Sequence, residues 1–392
     1  MQVKRDLIKE LKTLAKQFPV ISICGPRQSG KTTLSKMAFK DYKYINLEHL
    51  SSRRFASKDP EGFLDAVSGE KGVILDEVHH VPDLLSYIQI HVDTYEKSGF
   101  FVITGSQDLL LNEKISQSLA GRVALLTLLP FSIKEIKKEK DLPSNWSKAV
   151  FEGFYPRVIA GSSPAAKWAT SYIETYLERD VRQIKNVVDL SQFKDFLILC
   201  AGRIGQLLDI SSLSNDCGIS TETVRSWMSI LQASYIVYLL RPHYRNFSKR
   251  VIKAPKIYFY DTGLACSLLG IKSEEELLSH YLRGGLFECF VLSEFAKNEF
   301  NKGERPRIYF WRDRKGNEID CIIEKRGKLI PVEIKSGKTI NESFFDGLKF
   351  WNEISGTDPK DNFLIYGGSE GQRRTYANVL GWQMLEEVTD AS

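Results

Sequence analysis

The segment VISICGPRQSGKTT sets Gly25, Pro26, Arg27, Gln28, Ser29, Gly30, Lys31 and Thr32 in the order G-x-x-x-x-G-K-T, with Thr33 next in line. Glycines at the two ends let backbone N–H groups turn inward around an anion, and a helix opening after the loop adds the positive end of its dipole. An apolar β-like run precedes the loop and a helix-forming stretch follows it, the context this pattern requires. The chemistry is phosphate binding. Lys31 reaches the β- and γ-phosphates of a nucleotide, and the Thr32 hydroxyl ligates Mg²⁺. Residues Gly25 through Thr33 are the predicted nucleotide-binding set.

Downstream, GVILDEVHH ends an apolar run in Asp76 and Glu77. The first acid is the second predicted Mg²⁺ ligand, and the next is the candidate general base that polarises water for attack on the γ-phosphate. The run FFVITGSQDLLL ends in polar Thr104 and Ser106. Ser106 is a candidate sensor between nucleotide and attacking water, with an ordinary strand-end turn as the other reading. SLAGRVALL offers Arg122, either a stabiliser of charge on the transferring phosphate, in cis or from a neighbouring copy, or a surface ion pair.

A second constellation lies in WRDRKGNEIDCIIEKRGKLIPVEIKSGK. Asp320 falls on one β-like run and a short turn leads to the next, where Glu333 and Lys335 are two residues apart and share a strand face. Two carboxylates facing a lysine are what metal-assisted phosphodiester hydrolysis uses, and Glu288 in the preceding helix is the candidate to complete a metal shell. An exposed charged hairpin and a nuclease-like fold that binds without cutting are the alternatives.

Between the two constellations, SSLSNDCGIS and TETVRSWMSILQ read as helix, turn and helix, with Gly218 at the turn and Ser220 capping the second helix. A pair of β-like runs follows, YIVYLL and KIYFYD, completing a winged-helix pattern. Arg225 on the second helix and Arg241, Arg245, Lys249 and Arg250 in the basic, aromatic-interleaved loop are candidate nucleic-acid contacts. A protein-packing unit with a solvated hairpin explains the same residues.

These elements must be positioned by a chain of 392 residues, enough for two or three domains. At 43% hydrophobic and 26% charged residues it can bury a sizeable core, which argues against disorder. The balance of 54 basic and 49 acidic side chains, +5 net, is too small to demand a nucleic-acid partner. Six cysteines lie without a CxxC pair, so a disulfide or zinc scaffold is disfavoured. With no apolar run long enough to cross a bilayer and charges interleaved through the first helix, the expectation is a cytoplasmic protein without membrane contact. KEIKKEKDLPSN, residues 134–145, reads as a solvated surface segment.

The phosphate loop, VILDEVHH, ITGSQ, SLAGR and the later YLERDV together resemble a prokaryotic family of AAA-type ATPases with a C-terminal domain of unknown function. The D…ExK pattern is similar to that of the restriction-endonuclease-like superfamily. The resemblance covers nearly the whole chain. It implies an α/β fold: a P-loop NTPase core with a parallel sheet over residues 1–155, a helical connector with a winged-helix-like region over 156–260, and a restriction-endonuclease-like α/β domain over 261–392. It implies ATP and Mg²⁺ as cofactors. The resulting reading is an ATPase that drives or switches a nucleic-acid-related C-terminal half, with DNA, a protein or further copies of itself as partners. Two others stand beside it: a nucleotide-dependent switch on protein partners with an inactive nuclease-like domain, and a metal-dependent nuclease regulated by ATP.

Overall fold

The computed structural model describes residues 3–68, 71–95, 97–105, 115, 118–176, 181, 189–243 and 253–390. The N-terminal part runs α1 (Leu7–Leu14), β1 (Val20–Cys24), α2 (Lys31–Ala38), β2 (Lys43–Asn46), α3 (Leu50–Lys58), α4 (Pro60–Val67), β3 (Val73–Asp76), α5 (Leu84–Tyr95), β4 (Phe101–Thr104) and β5 (Val123–Thr127). Its strands form one parallel sheet in the order β2-β3-β4-β1-β5. The apolar runs read from the sequence are these strands, to within two residues at their ends. Alternate side chains supply the two faces. Ile21, Ile23, Ile74 and Val102 pack with Leu7, Leu11 and Leu34 of α1 and α2. Val20, Val73, Leu75, Phe101 and Ile103 pack with α4 and α5. A parallel sheet covered on both faces is why these strands lack a polar side.

The middle part consists of α6 (Ile133–Lys137), α7 (Trp146–Glu152), α8 (Pro156–Ile159), α9 (Ala165–Tyr176), α10 (Leu190–Ala201), α11 (Ile210–Cys217) and α12 (Thr221–Ala233). The antiparallel pair β6 (Val237–Leu240) and β7 (Lys256–Phe259) follows. Gly218 ends α11 in the left-handed conformation, at φ 64°, and the Ser220 hydroxyl accepts from Thr223 N to cap α12. Both features carry the predicted helix–turn–helix. Then come α13 (Thr262–Leu268), α14 (Glu274–Ser279), α15 (Arg283–Asn301), β8 (Ile308–Arg312), β9 (Glu318–Lys325), β10 (Lys328–Lys335), α16 (Asp346–Ser355), β11 (Phe363–Tyr366), β12 (Gln372–Arg373), β13 (Asn378–Gly381) and α17 (Leu385–Asp390). The C-terminal strands form a mixed sheet, β12-β13-β11-β10-β9-β8, with β8, β9 and β10 antiparallel and β11 parallel to β10. The fold is α/β throughout.

The middle helices and one face of the C-terminal sheet share a single hydrophobic core, joined by Val3 and otherwise reaching from Phe131 to Val388, with α15 contributing Leu286 through Ala296. Its other face packs on α16 through Trp311, Leu348 and Trp351. The bridge segment β6–β7 is also pinned to both sides: Ile257 pairs with Ile204, and Pro242 pairs with Phe310 on β8.

The segment expected to be solvated does the opposite at Glu135, which is fully buried. Its carboxylate accepts from Ser132 N at 3.0 Å and Asp6 N at 2.9 Å and pairs with Arg5 at 3.2 Å. One residue pair away, Ile133 N donates to Glu294 on α15 at 2.7 Å. The lysines of α6 face outward to Glu386 and Asp390 instead. Glu135→Ala would leave the Arg5 guanidinium buried without its carboxylate. It should destabilise the protein by about 3–5 kcal/mol, with Glu135→Gln costing less, as measured by urea denaturation midpoints.

Candidate functional site

The phosphate loop leaves β1 at Cys24 and returns into α2 at Lys31. Gly25 sits at φ 146° with the Leu128 carbonyl so close that a Cβ would lie 2.1 Å from its oxygen. Gly30, at φ 98°, is the residue before the first turn of α2, a conformation that favours glycine. Gln28 also has positive φ, 59°, and its side chain accepts from Trp168 Nε1 of α9 at 3.0 Å. Inside the loop, Lys31 Nζ donates to the carbonyls of Gly25 at 3.0 Å and Pro26 at 2.8 Å. Burial pulls this ammonium below the usual lysine pKa, with Glu77 pulling the other way. Ser29 Oγ is buried with no hydrogen-bond partner among the described residues. A desolvated ammonium and an orphaned hydroxyl in one loop fit an anion seated there.

Asp76 ends β3 beside the loop and is 4% exposed. Three hydroxyls converge on it. Thr32 Oγ1 donates to Oδ2 at 2.9 Å, Tyr44 OH donates to the same oxygen at 2.7 Å, and Thr104 Oγ1 donates to Oδ1. Burial, and then the adjacent Asp76, hold the Tyr44 phenol above its ordinary pKa and so protonated. Thr104 is therefore the strand-end polar group of β4 that touches the carboxylate, whereas Ser106 lies outside the described residues. Tyr44 is a site member that sequence reasoning missed. Nothing marks one tyrosine in a β-like run until the register sets β2 beside β3.

Glu77 follows in the left-handed conformation, φ 58° and ψ 47°, an uncommon state for a residue with a side chain. Its carboxylate lies 3.1 Å from His79 Nδ1. His80 packs against His79 at 4.1 Å between ring centroids, and burial followed by that neighbour pulls its pKa down to about 4. Arg122 precedes β5, and its carbonyl accepts from Val20 N at the start of β1. That is the far end of the sheet from the loop, four residue steps of about 3.3 Å away. Its guanidinium pairs with Asp93 at 2.8 Å. Within one chain it does not reach the phosphate loop, which leaves the neighbouring-copy role or the surface ion pair.

In the C-terminal domain β10 and β9 bring Glu333, Lys335 and Asp320 together. Lys335 Nζ lies 2.6 Å from Glu333 Oε2 and 3.0 Å from Asp320 Oδ2, which also accepts from Ile334 N at 2.8 Å. Glu288 of α15 is turned elsewhere, to Lys256 at 3.2 Å and to the Tyr258 hydroxyl. Lys256 also pairs with Glu318, which meets Arg312 at 3.3 Å. Lys256, the first residue of β7, is 3% exposed and belongs to this cluster. Among the described residues no group of three His, Cys, Asp or Glu side chains is arranged to hold a metal ion. An ammonium stands between Asp320 and Glu333 where a cation would sit, so the predicted metal shell does not fit these residues. Arg225 and Arg241 are exposed, and Arg245, Lys249 and Arg250 lie outside the described residues.

A parallel sheet in this strand order, with a phosphate loop after β1 and a buried carboxylate ending β3, defines an AAA-type P-loop ATPase core, and an AAA domain model matches residues 17–137. Two models of domains of unknown function, DUF8612 and DUF4143, match residues 143–275 and 283–385. The chain belongs to the same family as an uncharacterized protein of Mycobacterium tuberculosis, to which it is 31% identical over 341 residues, 86% of this chain and 74% of that protein. An uncharacterized protein of Haemophilus influenzae is 24% identical over 64% of this chain and 69% of its own length. Among solved structures, a Walker-type ATPase of Pyrococcus abyssi is similar at 13% identity and a TM-score of 0.45, over 67% of this chain and 94% of that one. A Holliday junction branch migration motor of Thermotoga maritima is similar at 15% identity and a TM-score of 0.31, over 60% and 88%. The AAA domain match and the phosphate loop support ATP binding. Among the described residues no helix is long and apolar enough to cross a membrane, and all six cysteines are free.

Burial, helped by Asp320 and opposed by Lys256, pushes the Glu288 carboxyl up to about 7 from an ordinary 4.5. The folded chain therefore holds this proton more tightly than the unfolded one. The resulting stability is complete below pH 4.5 and is lost as pH rises through 7. Glu288→Gln should flatten the dependence of urea midpoints on pH across that window.

Proposed function

We propose that this protein is a Mg²⁺-dependent ATPase whose hydrolysis switches the helical and C-terminal halves. The observation that carries this reading is the convergence of Thr32 and Asp76 beside a phosphate loop with a desolvated lysine. Thr32 Oγ1 and the Asp76 carboxylate are the groups that would hold Mg²⁺, which when bound neutralises charge on the phosphates. Among the described residues, the hydroxyls of Thr32, Tyr44 and Thr104 are the side-chain donors to the Asp76 carboxylate. Lys31 binds phosphate oxygen by trading two carbonyl partners for an anion, which also offsets its desolvation. Glu77 is the base that takes a proton from water, with His79 Nδ1 3.1 Å from its carboxylate. Thr104 fixes the position of Asp76 from β4. The contact of Gln28 with Trp168 supports communication from the loop to α9, because the loop tip and the helical region share that hydrogen bond.

For the C-terminal half, the helix α15, three antiparallel strands, the helix α16 and a parallel strand support a nuclease-like fold in element order. The lysine-filled carboxylate cluster favours a second reading in which this domain binds nucleic acid or protein without cutting. Exposed Arg225 and Arg241 support nucleic acid as the partner.

ATP turnover should require Mg²⁺. Lys31→Ala should abolish nucleotide binding, and Glu77→Gln should keep binding while lowering kcat on the order of 10²–10⁴-fold. Turnover rising with duplex or single-stranded DNA supports the nucleic-acid partner, and turnover indifferent to both moves the partner to a protein. In the same samples Mg²⁺ should produce no strand scission. Scission that disappears in Asp320→Ala would overturn the non-cutting reading.

A further inference from the structure

Glu318 and Asp320 stand two residues apart on β9, and strand pleating puts both on one face. Each is met by a lysine. Lys335 of β10 bridges Asp320 and Glu333 within the C-terminal sheet. Lys256 reaches Glu318 from a different unit, the wing, as the first residue of β7, and its ammonium also lies 3.2 Å from Glu288 of α15. Glu318 turns its second oxygen to Arg312 of β8 at 3.3 Å. Tyr258, two residues along on the same face of β7, donates its hydroxyl to the Glu288 oxygen that Lys256 pairs with. Two side chains of the wing therefore hold a carboxylate of α15.

The backbone of the wing takes the same course. Beyond β6 the chain pairs with β8, the edge strand of the mixed sheet: His243 N donates to the Phe310 carbonyl at 2.7 Å and Phe310 N to the Arg241 carbonyl at 3.1 Å. On the other side of β7, Ile257 N donates to the Gln206 carbonyl at 3.1 Å and Gly205 N to the Ile257 carbonyl at 2.9 Å. Just ahead of α11, Leu208 N donates to the Pro255 carbonyl at 2.7 Å. The lead-in to the helix–turn–helix is thus bonded to the strand that carries Lys256. A lysine only 3% exposed has given up its water, and taking it from its carboxylates would leave buried charge unanswered.

Resting on the non-cutting reading of the C-terminal domain, we propose that this carboxylate cluster is a clasp and not a metal centre. Lys256 locks the wing onto α15 and β9, so that the helix–turn–helix and the C-terminal sheet move as one body. Its ammonium enters the cluster only with β7 in place, because its stem is part of that strand. The charge that answers Glu288 and Glu318 is therefore also a mechanical part. Movement driven by ATP turnover then falls between the parallel sheet and this joined body, not between the wing and the C-terminal domain.

The test is hydrogen–deuterium exchange of the full-length protein, read segment by segment. Lys256→Met should raise exchange in β6, β7 and β8 about tenfold or more and leave β1 and β3 at wild-type rates. Lys335→Met, which breaks the pairs inside the sheet, should leave β6 and β7 unchanged, and equal loosening by it would overturn the assignment to Lys256. Should Lys256→Met loosen the whole chain, Glu318→Gln decides, because it removes one partner and keeps the lysine. Faster exchange confined to β6, β7 and β8 then supports the clasp, and wild-type rates there overturn it. The reading beneath the clasp fails separately. Mn²⁺ titrated into the nucleotide-free protein should lose none of its paramagnetic resonance signal to Asp320. Signal lost in the wild type and regained in Asp320→Asn would overturn the non-cutting reading and the clasp with it, whereas unchanged exchange without such binding overturns the clasp alone.

Discussion

Burying a carboxylate at the edge of an apolar sheet costs several kcal/mol unless hydrogen bonds replace the water it loses. Asp76 meets that requirement with hydroxyls from α2, β2 and β4, so the position of one side chain depends on three elements packed around β3. The strand order then becomes a chemical constraint as well as a topological one. Only with β2 and β4 flanking β3 can Tyr44 and Thr104 reach the same carboxylate from opposite sides.

The two carboxylate sites of the molecule differ in how their charge is answered. The Asp76 carboxylate accepts from three neutral hydroxyls. In the C-terminal sheet Asp320 and Glu333 share the Lys335 ammonium, and Glu288 and Glu318 share Lys256. Burial raises the Glu333 pKa well above its ordinary value, with Asp320 adding to it, while Lys335 and Lys256 hold Asp320 below its own against the effect of burial. The same residue type is therefore met by neutral donors in one site and by ammonium groups in the other.

Much of this was legible in the sequence, and the boundary of legibility is physical. The phosphate loop and the β3 acids could be read because the chemistry fixes their spacing along the chain. The helix–turn–helix could be read because Gly218 and Ser220 carry local backbone requirements. Glu135 was misread because a run of lysines hides one acid whose partners, Arg5 and Asp6, are about 130 residues away in sequence. Lys256 carries no local signal either: in the chain it opens a β-like run, and in the fold it faces α15 and β9. Tyr44 carries no local signal at all, since it acquires its place beside Asp76 from strand register. The two lysines that fill the C-terminal cluster show why the D…ExK spacing alone does not decide whether a metal is held.

The bond from Ile133 N to Glu294 spans 161 residues and lies at the heart of a core shared by the middle helices and the C-terminal sheet. During synthesis at about 5–20 residues per second, α6 emerges roughly 8–30 seconds before its acceptor on α15 exists. The parallel sheet can complete itself in that interval, because its two cores draw only on residues up to Leu128. The helices after it cannot, and they leave the ribosome with Phe131, Trp146 and Phe154 still facing water. The nascent chain is therefore an assembled ATPase sheet trailing an unpaired apolar surface, a window in which a chaperone has a defined segment to hold.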